Sequence, residues 1–128
     1  MIKRNEATFI ITVRLSLRIR SEANSREHWR KKAARAKEHR FQAAYALRKA
    51  NRWGEPVTAP AIITLTRIAP RKLDSDNLAG GFKAARDGIA DWLNIDDGDE
   101  RLTWVYAQRR GKPNEYDAEA VIEWAVQP

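Results

Sequence analysis

Val13, Leu15, Leu17 and Ile19 alternate with Arg14, Ser16, Arg18 and Arg20. A period of two residues suits a strand with one face buried and the other in water, and it suits no helix. The alternation predicts a strand over about residues 8–20, apolar on one side and strongly basic on the other. The period then changes. Ser25 has the chemistry of an N-cap, and a long helix is expected from there to roughly Arg52, just before Gly54. Its apolar face is thin: Trp29, Ala33, Ala36, Ala44 and Leu47 stand against Arg30, Lys31, Lys32, Arg35, Lys37 and Arg40. Such a helix is either a solvated surface element or one that faces a polyanion. The second reading is favoured because only Glu27 and Glu38 offset the positive charge.

Pro56 and Pro60 mark a loop, and AIITLTRIA predicts a second strand over Ala61–Ala69, followed by the basic turn Pro70-Arg71-Lys72. Leu78, Phe82, Ala85 and Ile89 recur at helical spacing and predict a helix from about Asn77 to Leu93. Gly80, Gly81 and Gly88 lie inside it, each costing up to about 1 kcal/mol relative to Ala, which implies that something packs close there. Strands around 102–109 and 118–125, joined by Gly-Lys-Pro-Asn, read as an antiparallel hairpin. The order β-α-β-α-β-β makes an α+β fold: a single domain over 1–128, with a mixed sheet and two helices packed on it. Trp92, Trp104 and Trp124 read as core, Trp29 and Trp53 bracket the basic helix, and His28 and His39 read as exposed.

Charge is divided along this chain. Residues 1–54 hold 15 Lys/Arg against four Glu, whereas acids outnumber bases over 55–128, and the whole stands at +7. A basic half suggests a polyanionic partner. Arg20, Arg26, Arg30, Lys31, Arg35, Arg71, Lys72, Arg109, Arg110 and Lys112 are the candidate contacts to DNA. There are no cysteines, so disulfides and thiolate zinc sites are excluded. The N-terminus lacks a signal-peptide apolar core, and the longest uncharged stretch, Pro56–Thr66, is too short for a membrane span. No membrane association and a cytoplasmic location are expected.

Seven of the eight aspartates fall between Asp74 and Asp99. Crowded carboxylates repel one another unless a cation sits between them, and hard oxygen ligands suit a divalent metal. Asp74 and Asp76 precede the second helix and Asp97 follows it, so a helix folded back beside the sheet could bring the three together on a metal. Each cluster alone also fits ordinary caps and turns. Lys83, one helical turn before Asp87, is either a phosphate-stabilising cation or a simple i,i+4 partner.

The run Asp74-x-Asp76-Asn77-Leu78, a downstream lysine, a helix and Asp96-Asp97 resembles the RusA-type Holliday junction resolvases, most strongly over residues 70–108. Asn24-Ser25-Arg26 is similar to that family's Asn-containing loop. The resemblance implies a homodimeric, phage- or bacterium-encoded endonuclease acting on branched DNA, the four-way junction. It implies Asp74, Asp76 and Asp97 as metal-binding catalytic acids, Mg2+ or Mn2+ as the cofactor, and Lys83 in the lysine role. The family lysine stands one turn after the DxDN acid, where this chain has Gly80. A non-catalytic nucleic-acid-binding relative and a phage structural or assembly protein are the alternatives.

Overall fold

The computed structural model describes residues 8–22, 26–51, 54 and 56–125. Its elements are β1 (Thr8–Leu15), α1 (Trp29–Ala50), β2 (Ala61–Ala69), α2 (Ser75–Gly81), α3 (Lys83–Leu93), β3 (Leu102–Arg110) and β4 (Asp117–Ala125). The fold is the expected α+β domain on a four-stranded mixed sheet, with strand order β1-β4-β2-β3. β1 and β2 each run antiparallel to β4, while β2 and β3 are parallel. A parallel pair needs a crossover, and α2 with α3 supplies it.

The expected hairpin between the last two strands is corrected. β2 lies between them, and residues 111–116 step across its end rather than closing a tight turn. The physical reason is burial: Ala61, Ile63, Leu65, Ile68 and Ala69 are all 5% exposed or less, which makes β2 the strand that gains most from a neighbour on each side. The first strand is also shorter than its alternation. Pairing stops at Leu15 opposite Ala118, near the start of β4, although Leu17 and Ile19 continue to point into the core.

The helix expected over 77–93 is two helices. Phe82 is the joint, fully buried, and its N–H is shared between the carbonyls of Leu78 and Ala79 at 3.2 Å each. Gly81 explains the close approach at that bend, because a Cβ there would stand 2.6 Å from the carbonyl oxygen of Arg20. α1 begins at Trp29, with His28 Nδ1 accepting from Arg30 N–H at 3.2 Å. The Asn24-Ser25 cap region and Trp53 lie outside the described residues. α1 packs on α3, and Arg40 crosses to Asp91 at 2.6 Å. Trp124 is buried, and Trp92 and Trp104 pack partly buried against the core as expected. His39 is not an exposed bystander: it is 6% exposed on the inner side of α1. No helix among the described residues is long and apolar enough to cross a membrane.

Candidate anion-binding site

The acidic loops are each held by their own partners. Asp74 is extended and caps α2: its Oδ1 accepts from Asn77 N–H at 3.0 Å and its Oδ2 from Asn77 Nδ2 at 3.1 Å. Asp76 stands exposed in the first turn of α2. Asp97 Oδ2 accepts from Arg86 Nε at 3.0 Å and from Lys83 Nζ at 3.4 Å. Burial pushes the Asp97 carboxyl up, but Lys83 and Arg86 outweigh it by charge and hydrogen bonding and hold it below its ordinary value. Lys83 is 2.8 Å from Asp87, the i,i+4 pair that spacing allowed, and its ammonium is held above its ordinary value chiefly by that hydrogen bond.

The structure therefore places Lys83 beside Asp97, while Asp74 is spent on its own helix cap. Among the described residues no group of three Asp, Glu, His or Cys side chains is placed to hold a metal ion. As they stand, the three carboxylates do not fit a Mg2+ centre, and the cations that neutralise Asp97 are Arg86 and Lys83. Arg86 escaped notice in the sequence. Besides Asp97 it reaches Tyr106 Oη at 3.0 Å and the Asp97 carbonyl at 2.9 Å, and its guanidinium lies 4.6 Å from the Trp104 ring. It thus ties the 94–99 loop to β3.

The basic residues divide into paired and free. Arg35 faces inward between Glu22, at 2.5 Å, and Glu27, at 2.6 Å, so it is structural rather than a ligand contact. Arg20 lies 3.8 Å from Glu27, and Arg109 is 3.7 Å from Glu119. Arg26, Arg30, Lys31, Arg71, Lys72, Arg110 and Lys112 have no carboxylate within ion-pair distance among the described residues.

Three of these cations, Arg71, Lys72 and Arg110, meet Arg67, Gln108 and Arg109 around one cavity of about 440 Å³. It opens where parallel strands β2 and β3 end, the edge at which α/β sheets commonly receive ligands. After β3 the chain turns over the end of β2, and Gly111 N–H bonds the Ala69 carbonyl at 2.9 Å. Among the described residues no carboxylate lines the cavity. Gln108 fixes one wall, its Oε1 accepting from Leu73 N–H at 2.9 Å and its Nε2 donating to the Leu73 carbonyl at 2.8 Å. Arg67 is 8% exposed. It donates through Nε to the Ile19 carbonyl at 2.8 Å and through Nη1 to the Arg71 carbonyl at 2.5 Å. A single arginine in the apolar run AIITLTRIA was the signal that could have found it.

Neither a protein-family model nor a curated protein matches this chain. Among solved structures it is similar to a GTPγS-form protofilament of TubZ from Bacillus thuringiensis serovar israelensis, at 11% identity and TM-score 0.47, covering 94% of this chain and 26% of that one. It is also similar to the W319Y mutant of FtsZ from M. jannaschii, at 11% identity and TM-score 0.41, covering 93% of this chain and 27% of that one. The chain spans about a quarter of the length of these structures, and likeness at this level carries no activity across. The structures named are not resolvases, and no match supports the RusA-type resemblance. The expectation it implied, a homodimeric junction endonuclease acting on branched DNA in recombination, is corrected accordingly. The geometry agrees with that correction, because the carboxylate set on which the resemblance turned is not assembled.

Proposed function

We propose that this domain is a binding module for a multiply phosphorylated anion. The observation that carries the reading is the cavity at the ends of β2 and β3, which among the described residues gathers five cationic side chains and no carboxylate. Arg109 has Glu119 at 3.7 Å, but the other four have no carboxylate within ion-pair distance among the described residues; like charges so gathered repel, and an anion that enters relieves the repulsion. Arginine is suited to phosphate because its planar fork donates two parallel hydrogen bonds. The exposed cations of α1 with no carboxylate partner among the described residues, Arg30, Lys31, Lys37, Arg48 and Lys49, extend the positive field and would speed encounter with an anionic ligand.

Enzymatic action on the bound phosphate is the wider form of this reading. Asp74 and Asp76 follow directly on the Arg71-Lys72 wall along the chain, and Lys83, at the start of α3, is paired with Asp97. These are the groups that would act.

The test is calorimetric titration with inorganic tripolyphosphate across a salt series, with citrate as a carboxylate control. Binding that weakens as salt rises, and that exceeds citrate binding at equal charge, supports the reading. No measurable tripolyphosphate binding at low salt overturns it.

A further inference from the structure

We infer that the cavity holds a seat for a terminal phosphate, the monoester end of a ligand, with Arg67 at its base. The inference rests on the phosphate-binding reading and specifies the ligand that this same site takes. Arg67 is more than nine-tenths buried and has no carboxylate partner among the described residues. Two of its nitrogens donate to the Ile19 and Arg71 carbonyls, with Gln108 Oε1 at 3.5 Å from Nη1, while Nη2 has no partner. Nη2 is not fully enclosed, and Arg67 is one of the side chains that line the cavity.

A buried guanidinium is costly unless something compensates it. Two backbone carbonyls accept two of its hydrogen bonds but do not balance its charge. The charged side chain beside it makes matters worse, since Arg18 is itself a cation, stacked 3.8 Å over the Tyr116 ring. The compensation missing from the protein is an anion on the Nη2 side, where Arg71, Lys72 and Arg110 supply further donors from the rim.

The position of the charge selects the kind of phosphate. Arg67 lies at the base of the cavity and the other cations lie at its mouth. A phosphate monoester carries a substituent on one oxygen only, so three oxygens can go in first with the substituent trailing outward. A diester carries substituents on two oxygens and cannot turn three bare oxygens toward the base. A monoester also carries the second negative charge that so cationic a seat rewards.

The experiment compares adenosine 5′-monophosphate with its 3′,5′-cyclic diester by calorimetry, keeping tripolyphosphate as a separate arm. The unmodified protein should bind the monoester at least tenfold more tightly than the cyclic diester. Arg67→Met should abolish that preference. Because Arg67 also ties Ile19 to Arg71, the double variant Arg71→Gln/Arg110→Gln, made on exposed rim residues, serves as a second probe. It should weaken monophosphate binding at least fivefold with an unchanged melting temperature. Equal affinity for the two nucleotides overturns the seat, as does a rim variant that binds monophosphate normally. If tripolyphosphate still binds in either case, only the seat fails; if tripolyphosphate binding is absent as well, the module itself fails.

Discussion

Gln108 grips Leu73 by both of its backbone groups, accepting from its N–H at 2.9 Å and donating to its carbonyl at 2.8 Å. A side-chain amide thus acts as an added strand segment near the end of β3, and it sets where the Arg71–Asp74 loop leaves the sheet. Gln108→Leu keeps the bulk and removes both bonds, leaving two half-buried backbone groups to find water. The expected cost is about 1–3 kcal/mol, with faster amide hydrogen exchange confined to residues 70–77. Exchange in that loop at the unmodified rate would show that the Gln108 bonds do not hold it.

Acid should loosen the fold in two stages. His39 has its imidazole pushed below the ordinary 6.5, first by burial and then by Arg35 and Arg20, against the opposing charges of Glu22 and Glu38. The neutral ring is the form the folded state prefers, so the unfolded chain takes up the proton first and stability falls once pH drops below 6.5. The second stage comes from carboxylates. Glu22 is held below 4.5, chiefly by its hydrogen bond from Arg35, and Asp99 is pulled down to about 2 by Arg101. Their contribution is complete above the unfolded value and is lost as pH falls from about 4.5 toward 2. Thermal melts should therefore be level from pH 9 to 7, decline gently below 6.5 and decline steeply below 4.5. His39→Leu should remove the gentle stage and leave the steep one.

The elements were legible in the sequence where period and burial agree. β2 spans the residues its apolar run marked, and the alternation of Val13, Leu15, Leu17 and Ile19 does line the core even past the end of pairing. What the sequence could not show is which strands sit side by side. The turn residues Gly111-Lys112-Pro113-Asn114 suit a hairpin, and nothing local distinguishes a hairpin from a step across one strand. That single error hid the cavity, whose walls come from the ends of β2 and β3 lying side by side. The partners of the acidic loops were hidden for a related reason: Asp74 and Asp97 have the composition of metal ligands, and the residues that bond them here, Asn77, Arg86 and Lys83, are distributed along two helices.

Magnesium should then do little to the folded protein. With Asp74 capping a helix and Asp97 paired to two cations, metal binding has to break existing contacts first. Millimolar Mg2+ should raise the melting temperature by less than about 2 °C, and Asp76→Asn should behave like the unmodified protein. A larger rise that vanishes in Asp76→Asn would mean the loops rearrange into a metal centre, and would return Asp74, Asp76 and Asp97 to the role their spacing suggested.

Two glycines in the crossover should respond to the same substitution with opposite signs. Gly80 lies on the exposed side of α2, and a Cβ there meets nothing within 4 Å. Gly80→Ala therefore only reduces the freedom of the unfolded chain and should stabilise by about 0.5–1 kcal/mol. Gly88 is buried where α3 crosses α1, and a Cβ there would collide with the backbone carbonyl of Arg40. A helix backbone cannot retreat as a flexible side chain does, so the two helices must separate, opening the Arg40–Asp91 pair and the packing around Ala43 and Leu47. Gly88→Ala should cost at least about 2 kcal/mol. Urea unfolding of the two variants side by side measures both, and a Gly88→Ala protein as stable as its parent would mean α1 and α3 do not cross at that distance.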